Sequence, residues 1–161
     1  MSVRVRDRDN GLKAHKERFR HNARVTVGIH EAEGAEPKKT EDGTGTTSLI
    51  DVATYHEFGM GVPQRSFVAG AVDENESELQ SKLTAALHAS VKPGGMGPER
   101  QLERFGLYVV GVMQERISAG IEPELAESTK KQKARHGNAK DVPLILTGQL
   151  RSSIRSKLEV E

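Results

Sequence analysis

The sequence predicts an α+β fold, in which a small and mostly antiparallel sheet is packed by two longer helices. Two segments alternate apolar and polar residues as strands do, at residues 24–29 and 156–160. Two longer segments, 76–90 and 99–118, carry apolar residues at the spacing of a helix face. We expect the segment around Phe67 to add a further strand to the sheet.

Composition limits the class of protein. The 161 residues suit a single domain, residues 1–161, yet only 35% are hydrophobic and 4% aromatic. So low a hydrophobic content indicates that some loops are not packed on a core, or that some apolar surface is buried only against neighbouring subunits. Cysteine is absent, which excludes disulfides and thiolate metal sites and fits a reducing cytoplasm. No apolar run has the length of a membrane span, so we expect no membrane partner.

The N-terminal end of the chain is basic. Residues 1–11 form a predicted arm that carries Arg4, Arg6 and Arg8, and a short helix follows from Leu12 to about residue 22. Such an arm suits weak, sequence-independent contact with DNA phosphates. An ordinary solvated surface is the interpretation that general experience favours, and both interpretations stay open.

The next elements are a strand, a loop and a helix. The β-branched strand at 24–29 leads into residues 31–47, which show no periodicity and predict a long mobile loop. Ser48 and Asp51 have the spacing of a capping box and open a helix. Gly59 ends that helix, and Pro63 begins an extended segment.

A breaker divides the two longer helices. Residues 93–98 combine proline and glycine and stop the helix at 76–90. Pro98 suits the first turn of the long helix that follows, and Gly120 ends it.

The last third of the chain returns to the sheet. A short basic helix is predicted at 125–135. Thr147 then caps a turn or helix that holds Leu150 and Ile154. The alternation at 156–160 predicts a closing strand.

No catalytic motif is complete. His56 and Glu57 match the start of a zinc-protease motif, but the second histidine belongs four residues after the first, where this chain has Met60. The chain also lacks a phosphate-binding loop and a nucleophile elbow. We therefore expect no enzyme, no metal and no cofactor. Two alternatives remain open: a metal-dependent hydrolase using His56 and Glu57, and a DNA-binding accessory protein using the basic ends.

Two segments together resemble one family of virion proteins. The first is His56-Glu57-Phe58-Gly59 followed by Val62-Pro63-Gln64-Arg65-Ser66-Phe67. The second is Pro143-Leu144-Ile145-Leu146-Thr147-Gly148-Gln149-Leu150-Arg151-Ser152-Ser153-Ile154. In this order they are similar to the tail-completion and head–tail joining (neck) proteins of long-tailed bacteriophages, which include the minor tail protein Z type.

The resemblance implies a structural role in assembly. It implies a homo-oligomer, a hexameric ring that caps the tail tube and docks it to the head connector or other neck proteins, with DNA passing through the lumen. The subunit would be made in the host cytoplasm and end in the virion. For the apolar motif members, a role in holding the monomer together is an equal alternative. The candidate subunit-interface or motif residues are Glu57, Phe58, Gly59, Pro63, Arg65, Phe67, Pro143, Thr147, Gly148 and Arg151.

Overall fold

A computed structural model describes residues 11–30, 38–39, 46–92, 94–135, 142–145 and 148–161. Within these ranges the chain forms seven helices and four strands, and the α+β class is as predicted. The helices are α1 (Leu12–Arg18), α2 (Leu49–Phe58), α3 (Ala69–Glu74), α4 (Glu76–Ser90), α5 (Pro98–Ala119), α6 (Glu127–Arg135) and α7 (Gln149–Ser152). The strands are β1 (Ala23–Ile29), β2 (Lys38–Lys39), β3 (Thr46–Thr47) and β4 (Ile154–Val160).

The main sheet joins the two ends of the described chain. β1 and β4 pair antiparallel, and Ile29 lies opposite Ile154. β2 and β3 form a separate antiparallel pair. The strand expected around Phe67 was wrong, because the backbone N–H of Phe67 and those of the next two residues donate to the Glu57 carboxylate at the start of α3. They are therefore not engaged in the β1–β4 ladder.

The long helix α5 packs against both strands of this sheet. Gly106 lies at the contact, where an added Cβ would stand 2.6 Å from Val25 Cγ2 and 2.9 Å from Ser156 Cβ. Along the helix α5 buries Val109 and Ile117, and α4 packs beside it. The two longer helices predicted from apolar spacing are thus confirmed as elements, but only α5 packs on the sheet, and α4 packs on α5. The core cluster is completed by Leu49, Ala53, Phe67, Ala71, Leu79, Val110, Met113, Ile121, Leu150 and Ile154.

Helix α2 begins with the predicted capping box. Ser48 Oγ accepts the Asp51 backbone N–H at 3.1 Å, and the Asp51 carboxylate accepts the Ser48 backbone N–H at 3.0 Å. Gly59 ends the helix with φ of 71°, in the left-handed region that favours glycine. Both ends of α2 are therefore set by local residues.

Some predictions fall outside the described residues. These include the basic arm with Arg4, Arg6 and Arg8, together with Thr147 and residues 31–37 and 40–45 of the expected mobile loop. None of the helices within the described ranges is both long and apolar enough to cross a membrane.

Candidate functional site

The first motif is organised by the buried carboxylate of Glu57. One oxygen accepts from Ser66 Oγ at 2.7 Å and from the Ala69 N–H at 2.9 Å. The other accepts from the N–H groups of Phe67 and Val68 at 2.8 and 3.0 Å. Burial alone would raise the Glu57 pKa, but these donors stabilise the charged form and hold the pKa below its ordinary value. Glu57 therefore caps α3 from a distance.

Arg65 makes the second link within this motif. Its guanidinium is buried, and Nε and Nη2 donate to the Pro123 carbonyl at 3.2 and 2.7 Å. Burial lowers the pKa of the guanidinium below its ordinary value. Arg65 stays a candidate subunit-interface or motif residue, and its charged end joins two loops of the same chain.

The other members of the first motif divide into core and surface. Phe67 is buried in the core cluster, while Pro63 is exposed at the bend after α2. Phe58 is 69% exposed although it is a large aromatic residue. Gly59 follows Phe58 in the chain. A side chain at this position would force its surroundings to move, since a Cβ would lie 2.9 Å from Gln64 Cβ.

The second motif surrounds the short helix α7. Gly148, with φ of 77°, precedes the helix, and Leu150 is buried in the core. Pro143 is also buried. Arg151 lies at the surface, where Nη1 donates to Ser118 Oγ at 2.9 Å and its carbonyl accepts from Gln114 Nε2 at 3.1 Å. Arg151 thus ties α7 to α5 and keeps an exposed side chain.

Both motifs line one groove of about 410 Å³. The first motif contributes His56 and Arg65, and the second contributes Gly148, Gln149 and Leu150. Helix α6 and the residues before it form the remaining wall. The apolar lining residues are Leu49, Val52, Leu125, Leu144, Ile145 and Leu150.

The sequence did not predict the α6 wall. The composition of α6 indicated only a solvated basic helix, yet Thr129, Gln132 and Lys133 line the groove. Lys133 is buried, and its ammonium group donates to the Val142 carbonyl at 2.7 Å. The one signal in the sequence was that Leu125, Thr129 and Gln132 follow one another at spacings of four and three residues, which is the spacing of one face of the helix predicted at 125–135.

His56 lines this groove. Burial and, next, the nearby Arg65 charge lower the pKa of the imidazole. Its Nδ1 is buried and has no hydrogen-bond partner in the described part of the chain. Glu57, its neighbour in sequence, is turned away, with both oxygens held by the donors around α3.

The two residues of the hydrolase alternative are therefore not brought together. Among the residues that the structure describes, no three histidine, aspartate or glutamate side chains are grouped as metal ligands. What the arrangement can do is receive an apolar side chain on its mostly apolar lining.

Comparisons with known proteins give no family to this chain. The description of the groove and its two motifs therefore uses only the residues of this chain. No family model, no curated protein and no solved structure matches it.

Proposed function

We propose that the chain is a non-catalytic structural protein of the virion of a long-tailed bacteriophage. In this proposal it is a tail-completion or head–tail joining subunit, six copies of which form a ring. The ring caps the tail tube and docks it to the head connector, and DNA passes through the lumen. We infer the family and the location in the virion from the resemblance of the two motifs. The groove is the surface that would make contacts in the assembly.

One observation carries the proposal. The two motifs are far apart in the sequence, yet His56 and Arg65 of the first line the same groove as Gly148 and Gln149 of the second. Most members of each motif hold the groove together rather than offer reactive groups. A pair of motifs that builds a shaped surface without a catalytic group supports binding and assembly over catalysis.

Exposed apolar side chains give further support. Phe58 and Met60 are 69% and 56% exposed. Apolar surface of this kind, when contiguous, marks sites of protein contact. Phe58 and Met60 are close in sequence at the end of α2, next to the first motif, so their burial is expected in an assembly.

Electron microscopy of the concentrated protein tests the proposal directly. We expect closed rings of one size, and antibodies against the chain should label virions at the neck. A protein that stays monomeric at every concentration and is absent from virions would overturn the assignment.

Two further measurements separate the alternatives. Zinc bound at one ion per chain and lost in His56→Ala would favour the metal-dependent hydrolase. Tight binding to duplex DNA at physiological salt, abolished by removing residues 1–8, would favour the DNA-binding accessory protein. The proposed ring subunit predicts neither result.

A further inference from the structure

We propose that neighbouring copies join when the aromatic end of α2 in one copy enters the groove of the next. The aromatic end comprises Tyr55, Phe58 and Met60, and the groove is the one that both motifs line. This inference rests on the proposed ring, and it names the contacting surfaces on which that ring would depend.

The aromatic end is an exposed and rigid apolar projection. Tyr55, Phe58 and Met60 are 42%, 69% and 56% exposed. The turn that carries them is fixed, because the Met60 N–H donates to the Tyr55 carbonyl at 2.9 Å and Gln64 Nε2 donates to the Glu57 carbonyl at 3.1 Å. A surface that is already ordered loses little conformational entropy on binding.

The groove has the size and lining to receive it. Its volume of about 410 Å³ falls at the lower end of the range of about 300–1,000 Å³ that is usual for small-ligand sites. The floor is aliphatic, and His56 and Arg65 stand at one side. Aromatic side chains in apolar pockets, with arginine nearby, dominate the energetics of many protein interfaces.

The two surfaces face different directions on the same helix. Val52 and His56 of α2 line the groove. At about 100° per residue, Phe58 is turned some 160° away from His56 around the helix axis. One copy therefore cannot fill its own groove with its own Phe58.

This arrangement selects a second copy of the chain as the occupant. A projection and a groove on opposite sides of one subunit make a head-to-tail contact, in which every copy gives one surface and receives the other. Such contacts continue from copy to copy and close into a ring when the rotation permits. The contact thus has the symmetry that the proposed ring requires.

Charge favours the same pairing. Asp51 is exposed and lies two turns before Phe58, on the same side of α2. Helix α6, which forms one wall of the groove, carries Lys131 and Arg135, both exposed, on the side turned away from the lining residues. The opposite charges of the projecting helix and of this wall favour their approach at long range.

Phe58→Glu tests the projection, with Leu107→Glu as its matched control. Leu107 is exposed to a similar degree but lies on α5, outside both surfaces. We expect both variants to keep the wild-type melting temperature, and only Phe58→Glu to lose the ring, with at least a tenfold weaker association in sedimentation or light scattering. Intact rings in Phe58→Glu, or equal loss in Leu107→Glu, would overturn the proposal.

Cysteine cross-linking tests the groove in the same assembly. The chain has no cysteine, so Phe58→Cys and Gln149→Cys each introduce a unique thiol. Mixed under oxidising conditions, these two single variants should give covalent dimers, whereas Phe58→Cys mixed with Leu107→Cys should not. Rings that form without the first cross-link would refute this contact and leave the ring itself standing. Absence of rings in the wild-type protein would instead refute the proposed function.

Discussion

Glu57 shows how one side chain organises a loop without taking part in chemistry. Its two oxygens accept four hydrogen bonds, three of them from successive backbone N–H groups at the start of α3. Helix α3 has no side-chain cap of its own at Val68. The carboxylate supplies that cap from α2. Together with the contact of Arg65, it fixes the segment between α2 and α3, which lies beside the groove.

Glu57→Gln is expected to lower the free energy of unfolding by about 2–3 kcal/mol. The amide keeps one acceptor oxygen but places its NH₂ group against N–H donors, and hydrogen bonds to a charged group contribute about 1.5–3 kcal/mol. Urea denaturation measures the loss. Glu115→Gln, on the exposed side of α5, is the control and should change stability little. Equal stability in the two variants would contradict the capping role.

His56 gives the stability a pH dependence of defined sign. Its pKa is lowered in the folded state by burial and by Arg65, so below the ordinary value of about 6.5 the unfolded chain binds more protons than the folded one. Stability is therefore present above that pH and falls on acidification from about pH 7 towards pH 5. Thermal unfolding across this range should show the fall in the wild type and a flatter profile in His56→Gln.

Glu57 predicts a second fall in a separate pH window. Because the Glu57 pKa is lowered in the folded state, the contribution of Glu57 to the free energy of unfolding is present above about pH 4.3. That contribution is lost as the pH drops further. The His56→Gln variant should keep this acid step, and Glu57→Gln should lose it. A single step shared by both variants would contradict the assignment of the two windows.

Among the elements, the sequence predicted those that are set by residues close together in the chain. The capping box of α2 joins Ser48 to Asp51, and its spacing is visible in the chain. Apolar periodicity likewise located α4 and α5. The contact between Arg65 and the Pro123 carbonyl spans 58 residues and leaves no periodic trace. For this reason the sequence did not reveal that tertiary contacts bury Arg65, and it placed Phe67 in a strand.

The contact between α5 and the sheet depends on a residue with no side chain. Gly106→Ala would gain up to about 1 kcal/mol in helix propensity, but the new methyl meets Val25 and Ser156. We expect a net loss of about 1–3 kcal/mol in the free energy of unfolding, because overpacking displaces the strands.

Gly111→Ala is the matched control in the same helix. A Cβ there meets nothing within 4 Å, so the propensity gain should appear as a stabilisation of up to about 1 kcal/mol. Chemical denaturation of the two variants compares them directly. If both substitutions stabilise the protein, close packing of α5 on the strands does not require glycine at position 106.

For the whole molecule, the proposed assembly accounts for the thin core and the exposed aromatic end together. An isolated chain leaves Phe58 in water and the groove unfilled, and each copy could cover both surfaces only through two neighbours. A contact of this kind does not stop at a dimer, so the ring should form cooperatively with rising protein concentration.

The pairing of β1 with β4 has a consequence for the order of folding. α4 and α5 are neighbours in sequence and can pack early, whereas the sheet must bring together segments separated by every helix from α2 to α7. Contacts of such long sequence separation form slowly. Pulse-labelled hydrogen exchange should therefore protect the amides of α5 before those of β4, and the reverse order would contradict this. Because α7 runs directly into β4, the groove is completed only at this late step, so a partly folded chain lacks the surface that receives its neighbour in the proposed assembly.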